Sequence, residues 1–189
     1  MNKVKFGLRN VKYSKITTTD GVDTYATPVA IPGAVNLSLI PAGEMVEFYA
    51  DDILYYTTTS NLGYTGDLEI ALIPDSFLVD VLGMTTDANG ALIENADSKV
   101  NSFALTFEIQ GDAKARKTWL YNCTCARPNQ DAATKEKGAN PITDKLSITV
   151  APRVSDRLVK LSLKPDETNE TAYNGFANTV YEIVPVPVV

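Results

Sequence analysis

Apolar and polar residues alternate with a period of two through much of the chain, which predicts strands rather than helices. Val11 to Thr17 and Thr24 to Ile31 flank Asp20-Gly21, a hairpin signal. Ala34 to Ile40 continues the pattern with Val35, Leu37 and Leu39 on one face. Further on, Leu68, Ile70 and Leu72 alternate with Glu69 and Ala71. Phe103, Leu105, Phe107 and Ile109 then alternate with Ala104, Thr106 and Glu108. After Gly111-Asp112, the run Thr118 to Ala126 puts Trp119, Tyr121, Cys123 and Cys125 on one face, and these two runs predict a central hairpin. Leu146, Ile148 and Val150 predict another strand, and Val159, Leu161 and Leu163 a last one with one buried and one wet face.

Helical spacing is rarer. Phe77, Leu78, Val81 and Leu82 form an apolar stripe that Pro74-Asp75-Ser76 opens and Gly83 can stop, which predicts a helix over about 75–83 with Asp75 or Ser76 as N-cap. Such a helix would cover one face or one open end of a sheet. Tyr173, Phe176, Ala177 and Val180 suggest a second over Thr171 to Tyr181, interrupted by Gly175. Residues 182–189 hold Pro185 and Pro187, which lack ladder donors, so this end reads as an extended arm. A basic arm at 1–10 is expected at the other end.

The stretch 41–66 is too long for an ordinary connection and too apolar for a solvated linker. In it Met45, Phe48, Tyr49, Ile53, Leu54, Tyr55, Tyr56 and Tyr64 are interspersed with Glu44, Glu47, Asp51 and Asp52. It must bury aromatic surface, either on its own domain as an omega loop or extra hairpin, or on another molecule.

Composition narrows the chemistry. The 189 residues suit one domain with one substantial core, and the absence of His removes Ser-His-Asp and Cys-His nucleophile systems and histidine metal ligation. An enzyme is therefore not expected. Cys123 and Cys125 have no further Cys or His to complete a zinc set, and a disulfide between them would close a small strained ring, so they are expected to be reduced, half-buried thiols in a cytoplasm. No apolar run of signal-peptide or membrane-spanning length is present, so no membrane is expected. The net charge of −6 conceals an asymmetry. From Ile16 through Ser98 there are thirteen carboxylates and no Lys or Arg, whereas Lys3, Lys5, Arg9, Lys12 and Lys15 precede them. Opposite charges on different parts of one surface can steer self-association, or the acidic stretch can be only a solvated face.

Motifs for chemistry fail individually. Asp51 and Asp52 are adjacent on an extended chain and point apart, unlike a glycosidase pair. Gly63-Tyr64-Thr65-Gly66-Asp67 lacks the Lys of a phosphate loop and reads as a turn into the strand at Leu68. Asp87-Ala88-Asn89-Gly90 lacks the later Glu of a calcium loop and reads as a turn. Lys114, Arg116 and Lys117 cluster at a hairpin tip, as solvated or intersubunit groups. A pI near 4.7 is wrong for specific nucleic-acid binding. No cofactor is expected.

The runs from Asn2 to Ile16, Ile31 to Ala34, Phe48 to Asp52, Gly66 to Asp75 and Leu120 to Thr124, in that order, resemble the major tail proteins of long-tailed bacteriophages (siphoviruses) of Gram-positive hosts. The resemblance extends through about Lys164. It implies a structural virion protein with a mainly β fold, an antiparallel β-sandwich or partial barrel with one flanking helix. It also implies polymerisation as stacked hexameric rings around a lumen for the tape measure protein and then DNA. Tail terminator and distal tail proteins would be partners, and the virion tail, assembled in the host cytoplasm, the location. On that reading Glu44, Met45, Glu47, Phe48, Tyr49, Asp51, Asp52, Tyr55 and Tyr56 are candidate intersubunit or inter-ring contacts, met by Lys3, Lys5 and Arg9. Glu69 and Glu108 are candidates for a negatively charged lumen, where an acidic wall lets DNA slide. The rival reading is a monomeric β-sandwich that binds to or decorates a virion or cell surface.

Overall fold

Most of the alternating runs become strands of one antiparallel sheet. The computed structural model describes residues 3–134 and 141–185. Its elements are β1 (Lys5–Thr19), β2 (Val22–Tyr25), β3 (Val29–Ala30), β4 (Ala34–Ala42), β5 (Met45–Ala50), β6 (Ile53–Thr59) and β7 (Gly63–Ile70), then α1 (Asp75–Asp80), β8 (Thr85–Thr86) and β9 (Leu92–Ile93). They continue with β10 (Phe103–Gly111), β11 (Arg116–Cys125), β12 (Asp144–Val150), β13 (Lys160–Leu163) and α2 (Glu170–Gly175). The main sheet has the order β2-β1-β10-β11-β12-β7-β4, with β13 on the first half of β11 and β3 on the middle of β1. Because β3 immediately precedes β4 in the chain, its pairing leads the far edge of the sheet back toward the start. Ile31 N donates to Val11 O, and Ala71 N to Gly33 O. The fold is a mainly β, antiparallel partial barrel.

Inside the curl, Val11, Tyr13, Leu68, Ile70, Phe103, Leu105, Leu120, Cys123, Leu146, Ile148 and Val150 form the main core. α1 contributes Phe77, whose ring meets Tyr13 and Phe103 edge-on at 5.0 and 5.4 Å between centroids. Tyr13 donates to the Asp80 carboxylate at 2.9 Å, and burial pushes its hydroxyl pKa up to about 12. A second cluster of Ala104, Trp119, Tyr121 and Phe176 lies on the opposite face of β10 and β11, under α2 and the segment after it. There Trp119 Nε1 donates to Phe176 O at 2.7 Å.

Two faces differ from simple alternation, each because of a bulge. Phe103 pairs with Cys123 and Leu105 with Leu120, so β11 gains a residue opposite β10 and its side chains change sides there. Trp119 and Tyr121 therefore join the second cluster while Cys123 and Cys125 enter the first, rather than all four sharing a face. Both thiols are free and buried, Cys123 completely, rather than half-buried. In β4 the register shifts between Ala34 and Asn36, leaving Val35 exposed while Ala34, Leu37 and Leu39 pack on the core. Leu72 is 72% exposed because β7 ends at Ile70.

Other expectations are adjusted by local chemistry. The N-cap of α1 is Pro74, whose carbonyl accepts from Phe77 N and Leu78 N; no side chain caps it, and the regular helix stops at Asp80. α2 is a second flanking helix, shorter than Thr171 to Tyr181. The segment 63–67 is already strand, with Gly66 so close to β4 that an added Cβ would lie 1.8 Å from Ser38 O. Asp87 does form a turn, accepting from the backbone N–H groups of Asn89 and Ala91. The N-terminal arm is, from Lys5 onward, a strand paired with β10. Of the C-terminal arm, 186–189 lie outside the described residues, and Glu182 is held by Arg153 through two hydrogen bonds.

Candidate functional site

The segment 41–66 proves to be the extra hairpin. β4 and β7 stay paired out to Ala42 and Gly63. Gly43, at φ 156°, is flanked by Leu62 N donating to Ala42 O on one side and Ser60 N to Glu44 O on the other, and the ladder runs on as β5–β6. A Cβ on Gly43 would sit 2.0 Å from Ser60 O, so only glycine permits the junction. At the tip Asp51 and Asp52 both adopt positive φ, 51° and 60°, as a two-residue turn that matches strand twist requires. Short polar side chains tolerate that conformation, which is a local reason for two carboxylates there.

No side chain of this hairpin belongs to either core cluster. Met45, Val46, Phe48, Tyr49, Ile53, Leu54, Tyr55 and Tyr56 are between 47% and 70% exposed. Cross-strand partners share a face, so Phe48 with Tyr56 and Tyr49 with Leu54 make apolar pairs on a ribbon with no covering layer. Tyr49 donates to Glu47 at 2.8 Å, and that bond raises the Tyr49 pKa. Exposed aliphatic and aromatic surface of this extent, whose charged residues are Glu44, Glu47, Asp51 and Asp52, makes the hairpin the first part of the candidate site.

At the end of β10 remote from α1, a cleft of about 900 Å³ opens between the first half of β1 and β4. Its floor includes Leu8, Leu37, Leu39 and Phe107. Its charged lining residues are Lys3, Lys5, Arg116 and Lys160, with no carboxylate among them. Among the described residues β1 pairs only with β10 from Lys5 to Asn10, and β4 only with β7 beyond Ala34, so both edges facing the cleft lack a strand. Lys160 Nζ lies 4.4 Å from the Tyr64 ring centroid and donates to its hydroxyl at 2.8 Å.

The structure divides the basic N-terminal residues. Lys3 and Lys5 line the cleft, whereas Arg9 turns to the other face and meets Glu108 at 3.1 Å. Glu108 is buried, not an outward-facing lumen residue. It accepts from Arg9 and Asn10 and faces Lys117 at 3.5 Å. Lys117, expected at a hairpin tip as a solvated or intersubunit group, is itself buried, donates to Tyr173 O and sits 4.2 Å from that ring's centroid. These groups fasten α2 to the sheet. Glu69 does lie on an outward face. Rows of Asn36, Glu69 and Lys145, then Ser38, Asp67 and Ser147, run across β4, β7 and β12, and Thr65 and Thr149 follow. Ser147 donates to Asp67 and Thr143 to Glu69.

Leu8, Leu37, Phe107, Arg116 and Lys160 gain their place in the cleft only when β1 and β4 approach each other, which no local pattern signals. No group of three or more metal-ligating side chains occurs among the described residues, and no described helix is long and apolar enough to cross a membrane. The chain matches no protein-family model and no curated protein.

Proposed function

We propose that this chain is the major structural subunit of a bacteriophage tail tube, polymerising as stacked hexameric rings around a lumen that carries the tape measure protein and then DNA. The observation that carries the reading is the β5–β6 hairpin, an apolar ribbon built outside the core and left uncovered. A monomer has no use for such surface, whereas a polymer buries it in each neighbour. The strand edges of β1 and β4 are a second support, because edges that threaten aggregation in a monomer are completed by neighbours in an assembly. The resemblance of the ordered sequence runs to siphovirus major tail proteins implies the symmetry and the partners, including tail terminator and distal tail proteins, in a virion tail assembled in the host cytoplasm. The outward face of β4, β7 and β12, with Ser, Thr, Asp67, Glu69 and a single Lys145, is the face suited to a lumen.

Electron microscopy of negatively stained purified protein, over a range of concentrations and salt, tests the reading. Hollow tubes with sixfold end views are expected. Monodisperse monomers throughout would count against it and favour a monomeric binding or decoration module.

A further inference from the structure

We infer that the β1–β4 cleft is the receptor for the β5–β6 hairpin of a second copy of this chain. The inference rests on the polymeric reading above and names the docking partner within it. Charge is the first argument. The hairpin and its entry carry Glu44, Glu47, Asp51 and Asp52 and no cation, while among the described residues the cleft is lined by Lys3, Lys5, Arg116 and Lys160 and no anion. Each of these two surfaces holds charge of one sign, so two hairpins repel, two clefts repel, and hairpin with cleft attracts.

Apolar character is the second argument. Phe48, Tyr56, Ile53 and Leu54 are exposed aromatic and aliphatic groups on a ribbon, and the cleft offers Phe6, Leu8, Leu37 and Phe107 beneath its charged rim. Aromatic anchors entering a pocket inside a charged rim have the anatomy of an energetically productive interface. Backbone geometry is the third. Among the described residues the two strand edges that bound the cleft have no partner, and the hairpin has two outer edges of its own, so insertion can add main-chain hydrogen bonds as well as side-chain contacts. The two surfaces differ, so repeated docking is heterologous and propagates into rings or filaments.

Charge reversal on each side tests the inference. Lys5→Glu with Arg116→Glu changes two exposed cleft residues, and Glu44→Lys with Glu47→Lys changes two exposed hairpin residues; all avoid the core and the strained turn. Either double variant is expected to weaken self-association by about tenfold or more, read by sedimentation, and the fourfold variant carrying both is expected to recover most of it. Circular dichroism and melting confirm that each variant is folded. As an independent readout, Leu37→Cys with Ile53→Cys is expected to give intermolecular disulfide ladders on oxidation, since Cys123 and Cys125 are buried. Tubes that assemble normally with the cleft reversed, or a fourfold variant no better than the doubles, would overturn the cleft while leaving the tube reading in place. A wild-type chain that never associates would overturn both.

Discussion

Cys123 and Cys125 show how one extra residue changes what a side chain does. The bulge in β11 turns both thiols into the barrel, where burial pushes the Cys125 pKa up to about 11 and the Cys123 pKa upward as well. The thiolate is the reactive form, so the native protein should resist a thiol reagent at neutral pH and react at both sites once unfolded in urea. Rapid native labelling would contradict the packing. Period-two reading correctly marks β10 and β11 as strands, yet a bulge has no compositional signature, so the side chosen by Trp119 and Tyr121 was not legible. Arg153 provides a pH test at the same scale. Its guanidinium donates to Asp156 at 3.0 and 2.6 Å and holds that carboxyl at about 2, below the ordinary 3.8. The folded state therefore takes up the proton less readily than the unfolded chain, so this stabilisation is full above the ordinary value and is lost as pH falls through about 2. Asp156 is partly exposed, which keeps the effect modest. The urea-midpoint gap between wild type and Asp156→Asn should be open near neutral pH and closed at the acid end.

At the scale of elements, contacts separate what folds the chain from what the fold displays. Glu108 and Lys117 belong to the first kind, since they are buried between β1, β10, β11 and α2. Glu108→Ala leaves the Lys117 ammonium without its carboxylate, a change expected to cost about 3 kcal/mol in urea denaturation. Their sequence context, charged residues alternating with apolar ones, looks like any wet strand face; α2 arrives from far along the chain to cover it. The hairpin belongs to the second kind. Replacing residues 43–62 with Asn-Gly would close β4 and β7 directly, since Ala42 and Gly63 are already paired and that dipeptide suits a two-residue turn. The shortened protein should keep its melting temperature to within a few degrees, because no hairpin side chain reaches the core, and should lose self-association. Unfolding would show instead that the ribbon supports the barrel. The aromatic content of this segment singled it out and called for burial, on its own domain or on another molecule; its own domain does not cover it. Its length and composition left omega loop and hairpin equally open, because Asp51 and Asp52 are not the glycine-containing pair that announces a tight turn.

For the whole molecule the governing feature is the distribution of charge over a nearly closed sheet. The order across the sheet was beyond the sequence, since the pairing of β12 with β7 joins segments far apart in the chain, whereas the hairpin at Asp20-Gly21 that brings β2 and β3 back to β1 was legible. Consequently the acidic stretch from Ile16 to Ser98 could be counted but not placed. In three dimensions six of its thirteen carboxylates fall into two groups, the four of the hairpin and its entry and the outward pair Asp67 and Glu69; Glu108, beyond that stretch, is withdrawn into an internal ion pair. If the face of β4, β7 and β12 lines a conduit, its electrostatics should govern what passes. Duplex DNA carries one charge per about 1.7 Å of axis and gains affinity by releasing counterions to lysine. A wall of hydroxyls with Asp67 and Glu69 offers no such gain, so DNA would slide. Asp67→Lys with Glu69→Lys reverses the wall while leaving the inward-facing Leu68 and Ile70 of β7 in the core. Tubes of this variant should retain fluorescent duplex DNA at low ionic strength and release it at about 1 M salt, where screening shortens to about 3 Å, whereas wild-type tubes should retain none under either condition. Equal retention by both would place this face on the outside of the assembly and assign the conduit to another surface.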